Sequence, residues 1–165
     1  MNAETVENRL TVKANTERGL PPEKIVVALD LSARCERTAH YAAGIAKSFG
    51  ASLFLVHVYQ PIQMNEFITE EGLRVQEHNE RVMREALTKL TNELRETYPA
   101  CNEKFMIGSP AEGVASAALE LGADLIITAS RNSSFLSHLL GLHQAPKIMH
   151  RAPCPVLVYH DKTVA

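Results

Sequence analysis

The sequence predicts an α/β protein: a single domain built on a doubly wound, five-stranded parallel sheet. Short apolar runs rich in β-branched residues recur along the chain without polar alternation, and such runs are typical of strands covered on both faces. Between them lie segments whose apolar residues follow helical spacing. The resulting order, β-α-β-α-β-α-β-α-β, builds a parallel sheet with helices on both faces. A chain of 165 residues suits one such domain.

The first half of the chain supplies two strands and two helices. The first strand is KIVVALD, residues 24–30, which ends in a carboxylate. The first helix is predicted over residues 36–49, where apolar residues follow helical spacing at Ala42, Ile45, Ala46 and Phe49. Gly50 stands where a C-terminal cap belongs. The second strand, 52–58, is closed by Pro61. A long amphipathic helix is predicted next, and it ends before Pro99. Its apolar residues are spaced 4, 3 and 4 apart, at Met83, Leu87, Leu90 and Leu94.

The second half supplies three strands and two helices. A short strand at 104–108 precedes Ser-Pro-Ala-Glu, residues 109–112, which combines a capping box with proline at the first helical position. Ser109 is therefore predicted to cap a helix that ends at Gly122, with a buried stripe of Val114, Ala117, Ala118 and Leu121. A strand at 123–129, a helical stretch near 135–151 and a last strand at 153–159 complete the sheet.

Composition and charge exclude several classes of protein. With 45% apolar residues, 22% charged residues and a net charge of −2, we expect no general attraction to nucleic acid or to anionic membranes. No apolar run reaches the roughly 18 residues of a membrane span. The three cysteines are far apart and lack CxxC spacing, which argues against a disulfide framework or a zinc site. His138 and His143 are five residues apart, a poor fit to a helical metal pair.

We expect three segments. Residues 1–22 are a flexible polar N-terminal arm without the hydrophobic centre of a secretory signal, 23–160 are the folded domain, and 161–165 are a short tail. A cytoplasmic location follows as the default.

Three strand ends offer groups for a ligand, because ligands of open α/β sheets lie outside the carboxyl ends of the strands, where the winding direction changes. Asp30 can accept hydrogen bonds from a ribose, or it can cap the following helix together with Ser32. Backbone amides at Val58 can read an adenine edge, and the neighbouring His57 is interpreted as a strand-end side chain whose ring nitrogen is satisfied. Gly108 ends the third strand.

Four stretches of the sequence together resemble the universal stress protein family: IVVALDLS, LFLVHVYQP, IGSPAEGVASAALELGADLIITASR and KIMHRAPCPVLVY. The resemblance covers about residues 23–160. It implies the five-stranded parallel fold that this family shares with adenine nucleotide α-hydrolase-like proteins, a cytoplasmic role in stress survival, and frequent dimerisation. Many members bind ATP or AMP, and others bind no nucleotide.

The phosphate-binding signature of the ATP-binding members is altered in this chain. It consists of Gly-x-x-Gly, nine residues, and then Gly-Ser or Gly-Thr. These positions fall on Ala129, Asn132, Leu142 and His143, and Gly141 lies one place early. Donors remain at Ser130, Arg131, Ser133 and Ser134. No tightly bound cofactor is expected, although an adenine nucleotide, ATP or AMP, stays an alternative. The candidate nucleotide or anion site comprises Asp30, Val58, Gly108, Ala129, Ser130, Arg131, Asn132, Ser133, Gly141 and His143.

The main functional hypothesis is a non-enzymatic universal stress protein that acts as a homodimer and through an unidentified protein partner. The alternative is an adenine-nucleotide sensor of the same family, and slow nucleotide hydrolysis is a distant third. The apolar last strand, 155–160, is expected at an edge of the sheet and predicts a dimer through antiparallel pairing. The competing arrangement covers that edge with the N-terminal arm or the C-terminal tail.

Overall fold

The computed structural model describes residues 21–61, 69–130 and 144–160. Its strands are β1 (Lys24–Ala28), β2 (Ser52–Tyr59), β3 (Cys101–Ile107), β4 (Leu125–Ser130) and β5 (Val156–His160). Its helices are α1 (Cys35–Phe49), α2 (Glu70–Thr97), α3 (Pro110–Leu121) and α4 (Gln144–Arg151). The strands form one parallel sheet in the order β3-β2-β1-β4-β5. The predicted α/β fold class is confirmed.

The winding direction changes between β1 and β4. From β1 the chain moves outward through β2 to β3, with α1 and α2 on one face, and it then returns to β4 and β5 with α3 and α4 on the other face. The central strands β1 and β4 are therefore neighbours, although α1, β2, α2, β3 and α3 separate them along the chain. This reversal is the switch point at which ligands of such sheets bind.

Two apolar layers, one on each face of the sheet, form the core. The layer under α1 and α2 contains fully buried residues of the strands and helices, among them Ile25, Val27, Leu53, Leu55, Leu87 and Leu94. The layer under α3 and α4 is built around Val26, Val56, Val114, Ala117, Ile126 and Ile148. Odd and even residues of β1 serve opposite layers, which explains why the strand lacks polar alternation.

The helix ends follow the predictions except at Ser109. Gly50 and Gly122 end α1 and α3 in the left-handed conformation, and Pro110 occupies the first turn of α3. Ser109 stands at the N-cap position, but its side chain makes no capping hydrogen bond. The prediction that it caps α3 is therefore wrong, because the hydroxyl does not take the orientation that the capping box requires.

Several predicted boundaries need correction. The third strand begins at Cys101 rather than at 104, and the fourth spans Leu125–Ser130 rather than 123–129. Phe49, predicted in the buried stripe of the first helix, is 49% exposed, since it is the last residue of α1. Only residues 144–151 of the predicted helix at 135–151 are described.

Other predictions fall partly or wholly outside the described residues. These are the arm before residue 21, the tail at 161–165 and the loop at 131–143, and they stay predictions. Across the three described ranges, no helix is both long enough and apolar enough to span a bilayer.

Candidate functional site

Asp30 and the end of β4 lie on either side of the switch point. Ala28, the last residue of β1, pairs with Thr128 of β4, and Asp30 follows two residues later. Ala129 and Ser130 end β4, are both half-buried, and stand in register with Tyr159 and His160 of β5. The sheet thus brings three predicted site residues, Asp30, Ala129 and Ser130, to one stretch of its carboxyl edge.

The carboxylate of Asp30 builds a tight turn rather than a helix cap. Its Oδ1 accepts a hydrogen bond from the Ser32 backbone N–H at 3.0 Å and another from the Ser32 hydroxyl at 2.7 Å. Between them Leu31 has a φ of 55°, in the left-handed region. The helix α1 begins only at Cys35, with Arg34 at the N-cap position. The interpretation of Asp30 as a helix cap is therefore wrong, because its bonds close an Asx turn upstream of the helix.

Two neighbouring residues at the end of β2 point to opposite faces. The Val58 side chain packs so closely under α3 that a Cβ on Gly113 would lie 2.7 Å from both Val58 methyl groups. His57 is 8% exposed, and its Nδ1 lies 2.8 Å from the carbonyl oxygen of Leu29. The interpretation of His57 as a strand-end residue with a satisfied ring is confirmed.

Gly108 and Ser109 leave space at the end of β3. Gly108 has a φ of 141°, which L side chains rarely adopt. Apart from its chain neighbours, no heavy atom of the described residues lies within 4 Å of where its Cβ would be. Its backbone N–H donates to the Tyr59 carbonyl at 2.9 Å, so the turn is anchored to β2. Glycine therefore permits both the backbone conformation and a close approach by a ligand. The Ser109 hydroxyl is not used in capping α3.

The described residues give little support to metal or thiol chemistry. Within them, no group of three or more His, Cys, Asp or Glu residues could hold a metal ion. All three cysteines are described and none forms a disulfide. Burial, followed by the charges of Asp30 and Glu36, raises the pKa of the Cys35 thiol to about 11, and burial likewise raises the pKa of Cys101 to about 11. Both thiols are protonated near neutral pH and are poor nucleophiles.

Sequence reasoning missed two contributors to this edge. Leu31 carries no signal for positive φ, because leucine disfavours that region. Gly113 looks like an ordinary helix residue, and only its proximity to Val58 reveals its packing role. The predicted residues Arg131, Asn132, Ser133, Gly141 and His143 lie outside the described residues, so their part in the site stays a prediction.

Comparison with known proteins identifies the family. A model of the Universal stress protein family matches residues 22–160. The chain belongs to this family. A curated universal stress protein of Thermus aquaticus is 35% identical over 137 residues, covering 81% of this chain and 96% of the relative. Universal stress protein A homolog 1 of Coxiella burnetii is 32% identical over 136 residues, covering 81% and 92%.

Solved universal stress proteins share the fold. One, in complex with cAMP, aligns with a TM-score of 0.63 at 20% identity, covering 84% of this chain and 97% of the other. The protein from Archaeoglobus fulgidus in complex with dAMP gives 0.57 at 22% identity, covering 82% and 95%. A family member from Arabidopsis thaliana with AMP bound gives 0.61 at 16% identity, covering 86% and 94%. At these identities the likeness establishes the fold alone.

Proposed function

We propose that this universal stress protein is a non-enzymatic regulator that reversibly binds an adenine nucleoside monophosphate at the switch point. The observation that carries the proposal is the convergence of Asp30 with the ends of β2, β3 and β4 at one edge of the sheet. Three family structures with bound cAMP, dAMP or AMP support adenine as the base.

The roles follow from the chemistry of each group. An ionised carboxylate accepts hydrogen bonds from hydroxyl groups, so Asp30 suits the hydroxyl groups of a ribose. The backbone at Val58 suits the polar edge of adenine. The open conformation of Gly108 admits the nucleoside, and Ser109 supplies a hydroxyl beside it.

A monophosphate fits this chain better than a triphosphate. The family signature places glycines where this sequence has Ala129, Asn132 and Leu142. Glycine lets backbone amides approach phosphate oxygens closely, and side chains at these positions reduce that approach. The hydroxyl groups of Ser130 and Ser133 and the guanidinium of Arg131 are suited to a single phosphate group.

Isothermal titration with AMP, ATP and GMP tests the proposal. We expect measurable AMP binding, weaker ATP binding and no GMP binding by the wild-type protein. Asp30→Asn, which removes the charge and keeps the shape, should reduce AMP affinity about tenfold. The matched control is Asp124→Asn at the opposite edge of the sheet, where the carboxylate accepts from the Glu23 and Lys24 amides, each at 3.0 Å. Absence of AMP binding at millimolar concentration, or equal losses in both variants, would contradict the proposal.

A homodimer through β5 is part of the same proposal. β5 is an edge strand, and its residues Val156–Tyr159 carry no charge. The other edge strand, β3, has the adjacent charges Glu103 and Lys104 in its middle, and charged residues protect sheet edges from pairing. Of the two edges, β5 is thus the one suited to a second copy of the chain.

We also place the protein in the cytoplasm. Cys35, Cys101 and Cys154 form no disulfide, which fits a reducing compartment.

A further inference from the structure

His57 connects the end of β2 with the end of β1. Its ring packs against Phe105, with centroids 5.5 Å apart, on the face of the sheet that α1 and α2 cover. Burial lowers the pKa of His57, an effect that the Leu29 hydrogen bond and the Asp30 charge partly oppose. A carbonyl oxygen only accepts, so the Nδ1 atom, 2.8 Å from the Leu29 oxygen, must carry the proton and donate it.

Both backbone groups of Leu29 are held by β2. Its N–H donates to the Val56 carbonyl at 2.9 Å, and its carbonyl accepts from His57. Leu29 is the residue immediately before Asp30. The chain therefore leaves the sheet from a residue whose N–H and carbonyl are both held, and it enters the turn at Leu31 two residues later.

The turn after Leu29 needs such an anchor. Leu31 has a φ of 55°, and a non-glycine residue keeps this conformation only where its surroundings determine the backbone. On the far side, the two hydrogen bonds from Ser32 to Asp30 close the turn. On the near side, the His57 imidazole holds the carbonyl of the peptide between Leu29 and Asp30.

We propose that His57 is a positioning residue for the switch-point site: by donating to the Leu29 carbonyl it sets the direction in which Asp30 faces a bound nucleotide. This inference rests on the proposed function. It assigns His57 a role through Leu29 and Asp30 rather than a contact with ligand.

Two substitutions separate the hydrogen bond from the bulk of the ring. In His57→Asn the amide nitrogen lies close to the place of Nδ1 and keeps a donor, whereas His57→Leu fills space without one. We expect His57→Leu to weaken AMP binding about tenfold and His57→Asn to stay within about threefold of wild type. Hydrogen exchange of the Leu31 and Ser32 amides, measured without nucleotide, should accelerate in His57→Leu and match the wild-type rate in His57→Asn.

Leu55→Val is the matched control. Leu55 lies two residues earlier on β2 and is fully buried in the same apolar layer, so this variant loses stability without altering the Leu29 bond. Unchanged exchange at Leu31 and Ser32 in His57→Leu would overturn the inference, as would equal acceleration in Leu55→Val or in His57→Asn. The exchange measurement needs no ligand. If wild type fails to bind AMP, the proposed function fails, and the exchange result still decides whether His57 fixes the turn.

Discussion

Leu31 is a strained residue whose side chain offsets part of the strain. A leucine in the left-handed region costs roughly 1–2 kcal/mol. Its side chain packs against the apolar layer under α1 and α2, and this burial compensates. Strained backbone of this kind is concentrated at functional sites. We therefore interpret the turn as serving to position Asp30 rather than to stabilise the fold.

His57 should make stability depend on pH. Burial lowers its folded-state pKa below the ordinary 6.5, so the unfolded chain takes up a proton first as the solution is acidified. The stabilisation from the neutral ring is complete above about pH 6.5 and is lost as the pH falls towards the folded-state pKa. Urea unfolding at several pH values should show wild type losing stability relative to His57→Asn below pH 6.5. Parallel curves for the two proteins would contradict this expectation.

Ser109 should contribute little to stability, because its hydroxyl makes no capping bond. Ser109→Ala should change the free energy of unfolding by less than about 0.5 kcal/mol. The comparison is Thr69→Ala at the start of α2, where the hydroxyl oxygen accepts from the Gly72 N–H at 3.1 Å, and the expected loss is about 1 kcal/mol. Urea titration measures both. A loss of about 1 kcal/mol in Ser109→Ala would show that the hydroxyl caps α3 in solution.

At the scale of elements, periodicity predicted the type and order of the helices and strands, but polar residues hid some boundaries. The start of β3 is Cys-Asn-Glu-Lys, which lacks an apolar pattern because β3 is an edge strand with an exposed side. The predicted buried stripe of α1 is confirmed at Ala42 and Ala46. It is wrong at Phe49, which is exposed because the helix ends there.

The site was less predictable than the fold for a related reason. The sequence predicted that the first strand ends at Asp30, whereas β1 ends at Ala28 and Asp30 follows two residues later. The sequence also left open whether the carboxylate caps the helix. That outcome depends on where α1 begins, which tertiary packing decides. The Ser109 capping pattern is present in the sequence, but a pattern does not fix the rotamer of a hydroxyl.

Contact between α3 and β2 makes Gly113 intolerant of a larger residue. Gly113→Ala places a methyl group 2.7 Å from both Val58 methyls, and overpacking of this kind costs about 1–3 kcal/mol. The control is Gly44→Ala in α1, where no heavy atom lies within 4 Å of the new Cβ. This change should stabilise the protein by about 0.5–1 kcal/mol through helix propensity. Thermal unfolding of both variants measures the contrast, and a stabilised Gly113→Ala would show that Val58 moves freely.

The directions of the backbone N–H groups along β5 decide which substitution tests the dimer. The Pro155 carbonyl accepts from the Ile126 N–H at 2.9 Å. Since backbone groups alternate in direction along a strand, the N–H of Leu157 points towards β4 and the N–H of Val158 points away from it. Val158→Pro removes an outward amide and should shift sedimentation towards monomer while the fold persists. Leu157→Pro should instead destabilise the fold itself. Wild-type protein that sediments as a monomer at tens of micromolar would contradict pairing through β5.

At the scale of the whole molecule, the chain departs from the phosphate-binding signature that the family resemblance implies. We expect the purified protein to retain no stoichiometric ATP, because Leu142 and His143 stand where the signature has glycine and a hydroxyl residue. Mass spectrometry of the supernatant after denaturation measures this. About one ATP per chain would contradict the prediction and would mean that the 131–143 loop binds phosphates without glycines at the signature positions.

The pairing of β1 with β4 also affects how the chain folds during its synthesis. Asp124 Oδ2 accepts from the amides of Glu23 and Lys24, residues 101 and 100 positions earlier. A ribosome therefore releases β1, and later β2, long before the strand that completes the centre of the sheet. Contacts between such distant segments form slowly, and unpaired apolar strands are prone to aggregate in the interval. During most of synthesis, β1 can pair with β2 only, and the side that later pairs with β4 is an unprotected edge.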